Sequence, residues 1–140
     1  MNEGKLVSMQ TYPTYVAYTG SSMIPIFKPG DLLQVLPYAG RQVRRGDVIF
    51  YSCPSESCKV VHRVADIDTH GIRTRGDNNA LTDPWVVTTR QVIGYVVHAQ
   101  RGRRWRRISG GYVGRLVANG ARAVKRLSMW ADRAKGAFHT

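Results

Sequence analysis

The sequence predicts a mainly β body of short strands followed by a C-terminal amphipathic α-helix. The first hundred residues contain several short runs rich in β-branched and aromatic residues, separated by Gly, Pro and Asn. No helical period occurs before residue 108, and this combination is typical of an all-β domain. With 140 residues, of which 43% are hydrophobic, the chain is long enough to bury one modest core.

Strands are predicted where apolar runs are bounded by turn residues. They fall at 15–18, 32–36, 47–51, 59–68, 71–75 and 92–97. His70 and Gly71 supply a hairpin turn between the predicted strands 59–68 and 71–75. Residues 77–84 form a loop. We therefore divide the chain into an N-terminal lead-in, 1–14, a β domain, 15–100, and a basic linker with a helix, 101–140.

The C-terminal segment carries most of the charge. The net charge is +12, and residues 101–140 contribute +10 because they contain 11 Lys and Arg but only one acid, Asp132. Apolar residues recur there at spacings of three, four and seven, which places them on one face of a helix opposite a row of arginines. The apolar face is Val113, Leu116, Val117, Val124, Leu127, Ala131, Ala134 and Phe138, and the basic face is Arg115, Arg122, Arg126 and Arg133. Such a helix over 108–138 suits an anionic membrane surface; alternatively, it packs on the β body with its arginines in solvent.

The sequence also carries signals about location. No run approaches the ~20 apolar residues of a spanning helix, and the N-terminus lacks the apolar core of a secretory signal. We therefore expect a cytoplasmic chain, peripheral on the membrane.

In the reducing cytosol a disulfide is disfavoured, and no second cysteine pair is present to complete a zinc site with Cys53 and Cys58. We expect free thiols in a turn, and neither a metal nor a cofactor.

Ser22, His62, Asp77 and Asp83 are the candidate catalytic residues. A serine hydroxyl becomes a nucleophile when a neighbouring base takes its proton and an acid orients that base. Ser22 follows a predicted strand beside Gly20, where a substrate can approach closely. His62 lies in a valine-rich strand, and the two aspartates lie in the Gly- and Asn-rich loop after it. Taken singly, each residue has a structural interpretation, as a turn serine, a strand histidine or a turn-capping aspartate.

Lys59 is the competing candidate for the base. It lies three residues before His62, and an odd offset along a strand places two side chains on opposite faces. A histidine titrates near ~6.5 and accepts a proton at neutral pH without tuning. A lysine, near ~10.4, must first be strongly desolvated. We therefore assign the base to His62.

Four motifs, in this order, resemble those of type I signal peptidases. They are Gly20-Ser21-Ser22-Met23-Ile24-Pro25, Arg45-Gly46-Asp47-Val48-Ile49-Phe50, Val61-His62-Arg63-Val64 and Arg75-Gly76-Asp77-Asn78-Asn79. The chain looks most like the archaeal and endoplasmic-reticulum variant, which has a histidine where ordinary bacterial enzymes have a lysine. That variant also has a second aspartate six residues after the first, and Asp83 stands six after Asp77. The resemblance covers roughly residues 15–97.

The resemblance implies a serine endopeptidase of the S24/S26 type with a coiled β-barrel-like domain, shared with self-cleaving repressor domains. It implies that Ser22 is acylated, that His62 is the general base, that Asp83 orients it and that Asp77 is essential to the loop. The backbone N–H of Ser22 would help to stabilise the oxyanion. The implied partner is a peptide or precursor-protein substrate, cleaved after a small residue.

Two features depart from the family pattern. Bacterial relatives have a serine two positions before the nucleophile as an oxyanion donor, and this chain has Gly20 there. Ser21, Thr19 or a water molecule substitutes for it, or the donor is missing. The family's transmembrane helix before the nucleophile is also not found in the sequence. The alternative function is therefore a repressor-like or inactive β-domain protein that binds nucleic acid or a partner through its basic tail.

Overall fold

The computed structural model describes residues 12–55 and 57–137, and it contains one antiparallel sheet and one long helix. The predicted lead-in lies outside the described residues except for 12–14, and so does Phe138. The strands are β1 (Thr14–Ala17), β2 (Leu32–Leu36), β3 (Val48–Ser52), β4 (Lys59–Asp68), β5 (Gly71–Arg75), β6 (Val92–Arg101) and β7 (Arg104–Arg107), and the helix is α1 (Gly111–Ala137). A short 3-10 helix, Thr89–Gln91, precedes β6. The prediction of a mainly β chain with a C-terminal helix is confirmed.

The strand order differs from the order along the chain. The sheet runs β1-β2-β6-β3-β4-β5, and β7 pairs with β6. β6 therefore lies between β2 and β3 and pairs with both of them in the middle of the sheet. The turn after β1 contacts the loop after β5, where the N–H of Asn78 donates to the carbonyl oxygen of Ser22.

β3 is buried on both faces and separates two apolar clusters. Because side chains alternate along a strand, Val48 and Phe50 enter one cluster, and Ile49 and Tyr51 enter the other. The first cluster also contains Met23, the residue after the candidate nucleophile, with 0% exposure. The candidate nucleophile is thus attached to the best-packed part of the domain.

β7 was not predicted, since residues 101–107 were assigned to a basic linker. β6 extends to Arg101, and a two-residue turn leads into β7 with Arg101 paired to Arg104. Gly102, with φ of 61°, occupies the first central position of this turn, where two-residue hairpins require a positive φ. An arginine-rich strand is tolerated here because β7 pairs only with β6 and is mostly exposed.

The expectation of free thiols is wrong, because Cys53 and Cys58 form a disulfide. The two residues flank the turn between β3 and β4, immediately beyond the paired Ser52 and Lys59. The N–H of Cys53 donates to the carbonyl of Cys58, and the Cα atoms are 5.5 Å apart, within the range that a disulfide spans. The local hairpin geometry, which the sequence argument from the redox compartment did not consider, brings the two sulfur atoms together.

α1 contacts the β body through its smallest residues. Gly111, Gly114 and Ala118 are buried, and a Cβ atom added to Gly114 would lie 2.5 Å from the carbonyl oxygen of Gly46. Asp47 Oδ1 accepts the N–H of Gly111 at 2.9 Å, which satisfies a free donor at the start of the helix. Five residues of the predicted apolar face lie on the other side of the helix and are exposed, namely Val113, Leu116, Val117, Val124 and Leu127, the last at 67%. Ala131 and Ala134 are half-buried.

Within 12–55 and 57–137, no helix is both long enough and apolar enough to cross a bilayer.

Candidate active site

Ser22 and His62 are hydrogen-bonded side chain to side chain. Ser22 lies in the turn that follows β1, and His62 lies in the fourth position of β4. The distance from His62 Nε2 to Ser22 Oγ is 2.9 Å. Ser22 is half-buried and His62 is 8% exposed, so the serine is accessible while the imidazole is largely shielded. The hydroxyl is therefore placed to lose its proton to an adjacent base.

Asp83 lies on the other side of the imidazole. His62 Nδ1 is 2.6 Å from Asp83 Oδ2, and both groups are buried. A carboxylate can only accept, so Nδ1 carries the hydrogen and donates it to Asp83. Nε2 is then left without a hydrogen and can accept one from Ser22. The order Ser22, His62, Asp83 is the arrangement that activates a serine nucleophile.

Two further hydroxyl groups hold the Asp83 carboxylate, and sequence reasoning missed both. Thr74 Oγ1 donates to Asp83 Oδ2 at 2.6 Å, and the Tyr51 hydroxyl donates to the same oxygen at 3.2 Å. Trp85 Nε1 in turn donates to the Tyr51 hydroxyl at 3.1 Å. Thr74 and Tyr51 lie in ordinary β-patterned runs, and no sequence signal distinguishes them from core residues.

The charge state of this cluster follows from burial and hydrogen bonding. Burial alone would raise the pKa of Asp83, but the hydrogen bonds from His62, Thr74 and Tyr51 outweigh it and leave the pKa below its ordinary value. Burial raises the pKa of Tyr51 to about 12, so its hydroxyl keeps the hydrogen that it donates. Asp83 is thus an ionised acceptor, and such an acceptor stabilises a protonated imidazole beside it.

Asp77 is not part of this chain of hydrogen bonds. It is 2% exposed and pairs with Arg63, which donates from Nε and Nη2 to the two carboxylate oxygens at 2.9 Å each. Arg63 Nη1 also donates to the carbonyl oxygens of Gly46 and Ser109. Asp77 therefore anchors its loop to β4 and to the segment before α1.

The residue after Asp77 connects this loop to the nucleophile. The N–H of Asn78 donates to the carbonyl oxygen of Ser22 at 2.8 Å, and its side-chain amide donates to that of Ser21 at 3.0 Å. Lys125 Nζ, from α1, donates to the carbonyl and side-chain oxygens of Asn78 at 3.0 and 2.7 Å. The turn that carries Ser22 is therefore held by Asn78, which Lys125 in turn binds.

Lys59, the competing base, lies exposed at the first position of β4 and pairs in register with Ser52. It belongs to the end of the strand near the disulfide, whereas His62 faces Asp83. No metal centre accompanies the site either: within the described ranges, no three residues among His, Cys, Asp and Glu are grouped to hold an ion.

A cavity of about 820 Å³ lies elsewhere on the domain. It is lined by residues of β2, β6 and the loop before β3, including Gln34, Tyr38 and His98. None of the three hydrogen-bonded residues Ser22, His62 and Asp83 lines it.

The known proteins similar to this chain agree with the resemblance drawn from the four motifs. No protein-family model matches the chain. The signal peptidase complex catalytic subunit SEC11 of Clavispora lusitaniae is 39% identical over 83 residues, which cover 56% of this chain and 48% of the relative. The chain is signal-peptidase-like. The corresponding subunit sec11 of Dictyostelium discoideum is 36% identical over 51% of this chain and 41% of its own length.

A human relative shows how far the similarity extends. Signal peptidase complex catalytic subunit SEC11C of Homo sapiens is 29% identical over 58% of this chain and 45% of its own length. The chain thus spans less than half the length of the relatives described here. The resemblance drawn from the four motifs to the endoplasmic-reticulum type of signal peptidase is confirmed by these similarities.

Proposed function

We propose that this chain is a serine endopeptidase of the signal-peptidase type that cleaves precursor or signal-like peptides. The observation that carries the proposal is the continuous hydrogen-bonded series from Ser22 Oγ through His62 to Asp83, at 2.9 and 2.6 Å. The names of the relatives, catalytic subunits of a signal peptidase complex, support the same class of reaction.

The reaction follows from the proton positions. Ser22 Oγ attacks the carbonyl carbon of the scissile peptide bond as its proton passes to His62 Nε2. His62 then donates this proton to the leaving amine, the C–N bond breaks, and Ser22 is left acylated. A water molecule, deprotonated by His62, then attacks the ester carbonyl carbon. The ester C–O bond breaks as His62 returns the proton to Ser22 Oγ, and the acid product leaves. Asp83 stays ionised throughout and stabilises the imidazolium, and Asp77 holds the loop.

A fluorogenic peptide with small residues before the scissile bond tests this function. Ser22→Ala and His62→Ala should each lower kcat by about 10⁴-fold or more, because either change removes the proton-transfer pair. The exposed residues Ser128 and His70 supply matched controls, and Ser128→Ala and His70→Ala should retain wild-type kcat. Equal turnover by wild type and Ser22→Ala would reject the peptidase and favour an inactive β-domain protein.

We further propose that α1 rests on an anionic membrane surface and keeps the chain peripheral on the cytoplasmic side. Val113, Leu127 and Trp130 are 57%, 67% and 72% exposed and lie on the side of the helix away from its buried glycines. A bilayer beneath this stripe would not collide with the β body. The exposed Arg126 and Arg133 flank the stripe, as in interfacial helices with basic polar faces.

Flotation with vesicles of phosphatidylcholine, with and without phosphatidylglycerol, tests the membrane proposal. The wild type should float only with the anionic lipid, and Leu127→Ser combined with Trp130→Ser should abolish flotation. Leu81→Ser alters an equally exposed apolar residue outside the helix, at 81%, and should have no effect. A wild type that stays at the bottom of the gradient, or that binds a second protein instead, would reject a lipid partner.

A further inference from the structure

Acyl transfer at Ser22 needs two hydrogen-bond donors on one oxygen. When Ser22 attacks, negative charge develops on the carbonyl oxygen of the substrate, and donors about 2.7–3.1 Å from that oxygen stabilise it. The N–H of Ser22 makes no hydrogen bond to another described residue, so it is available as one donor. Gly20, two positions earlier, has no side chain to offer, so a second donor must come from elsewhere.

The Tyr18 hydroxyl is a second polar side-chain group beside Ser22, in addition to the His62 imidazole. Its oxygen lies 3.4 Å from Ser22 Oγ and accepts the N–H of Met23 at 2.9 Å. Because one lone pair is used by Met23, the hydroxyl hydrogen is free to point toward Ser22. Accepting from a backbone N–H also polarises an O–H group and makes it a better donor.

Tyr18 is held rigidly, as an oxyanion donor must be. The residue is 7% exposed, and its ring packs edge-on against Phe27 with centroids 5.5 Å apart. Phe27 itself is fully buried. A donor fixed before the reaction requires no reorganisation as the charge develops.

The position of the hydroxyl also accounts for Gly20. A Cβ atom built on Gly20 would lie 3.3 Å from the Tyr18 hydroxyl oxygen, so the phenol reaches the space that a side chain at position 20 would enter. Gly20 does not adopt a positive φ, so its backbone does not itself require glycine. Thr19 and Ser21 are exposed. The carbonyl oxygen of Ser21 accepts a hydrogen bond from the side-chain amide of Asn78.

We infer that the Tyr18 hydroxyl is the second oxyanion donor, acting beside the Ser22 N–H. The inference rests on the proposed peptidase function and names the residue that replaces a side-chain donor at position 20. Tyr18 donates a hydrogen bond to the developing oxyanion and remains protonated, so no proton is transferred from it. It is thereby a catalytic residue, since it touches the reacting oxygen.

Steady-state kinetics of Tyr18→Phe test the inference. Loss of one oxyanion donor should lower kcat by about 10²–10³-fold with little change in KM. Adding Gly20→Ser to Tyr18→Phe should raise kcat again by at least about tenfold, because a serine hydroxyl then enters the space left by the tyrosine hydroxyl. Gly20→Ala in the same background adds a Cβ without a donor and should not rescue. Tyr15→Phe, which removes an exposed hydroxyl bonded to Gln34, is the matched control.

A Tyr18→Phe kcat within twofold of wild type, or equal rescue by Gly20→Ala and Gly20→Ser, would overturn the assignment. Wild type no faster than Ser22→Ala would instead reject the peptidase itself.

Discussion

Arg63 and His62 are consecutive residues of β4 that hold the site from its two sides. His62 binds Ser22 and Asp83, whereas Arg63 binds both carboxylate oxygens of Asp77. Alternation along the strand directs one side chain to the reacting groups and the other to the loop that supports them. One short segment of strand therefore determines both the proton pathway and the position of the turn carrying the serine.

Breaking the Arg63–Asp77 pair should destabilise the fold strongly. Both residues are at most 3% exposed, and Asp77→Ala would leave a buried guanidinium without its counter-charge. We expect a loss of about 3–5 kcal/mol in the free energy of unfolding, measured by urea denaturation. Asp132→Ala, which changes an exposed acid of α1, should leave the midpoint nearly unchanged. A double variant with Arg63→Met should lose less than the sum of the two single changes, and simple additivity would contradict the pairing.

Asp83→Asn should separate chemistry from binding. An amide at position 83 can donate to His62 Nδ1, which moves the imidazole hydrogen to Nε2 and prevents Nε2 from accepting the serine proton. We expect kcat to fall by about 10³–10⁴-fold while KM changes little. Asp66→Asn changes a half-buried carboxylate of β4 that pairs with Arg45, and it should keep wild-type kcat. An Asp83→Asn variant with unchanged kcat would show that the imidazole needs no ionised partner.

Lys125 should support the nucleophile through Asn78. Its ammonium group donates to two oxygens of Asn78, whose backbone N–H binds the carbonyl of Ser22. Lys125→Ala should lower kcat about fivefold, a modest loss because both hydrogen bonds that it removes are exposed and act on Ser22 only through Asn78. Lys125→Arg should restore most of this loss. Lys135→Ala removes an exposed charge further along α1 and should have no effect; equal losses in both alanine variants would point to a general charge effect.

The ion pair at Asp31 should make the fold sensitive to acid. The hydrogen bond from Arg101 is the main cause that holds the pKa of Asp31 below its usual range, although burial opposes it. An unfolded aspartate titrates near ~3.9, so this contribution is present above that pH and is lost as the pH falls through the lowered folded value. The wild type should therefore lose stability below about pH 4 more steeply than Asp31→Asn. Parallel curves of unfolding free energy against pH would contradict the link.

The proposed cytoplasmic location makes a prediction for the cysteines. Cys53 and Cys58 are joined in the structure, but a reducing compartment opposes such bonds. Alkylation of the chain in intact cells should therefore modify both thiols, and air oxidation after purification should protect them. Protein that resists alkylation in cells would place the β domain in an oxidising compartment. Cys53→Ala, with a single remaining thiol, calibrates the mass shift.

The positions of most strands were predictable because their signals are local. β4 and β5 coincide with the predicted 59–68 and 71–75, since valine-rich runs and a turn glycine mark their limits. β7 was missed because it consists of arginines and a tryptophan and forms only by pairing with β6. The disulfide was missed for a related reason, because the pairing of β3 with β4 decides it.

The sequence by itself determined which residue types were available for catalysis and that the last segment forms an amphipathic helix. Ser22, His62 and Asp83 could be named from motif order and proton chemistry. Only the tertiary structure decided the distances among them, because 40 residues separate Ser22 from His62 and the sheet register brings them within 2.9 Å. It also decided that Asp77 binds Arg63 rather than His62, that α1 packs by its glycines and that Tyr18 lies beside the nucleophile. These are contacts between distant segments, and no local pattern of the chain encodes them.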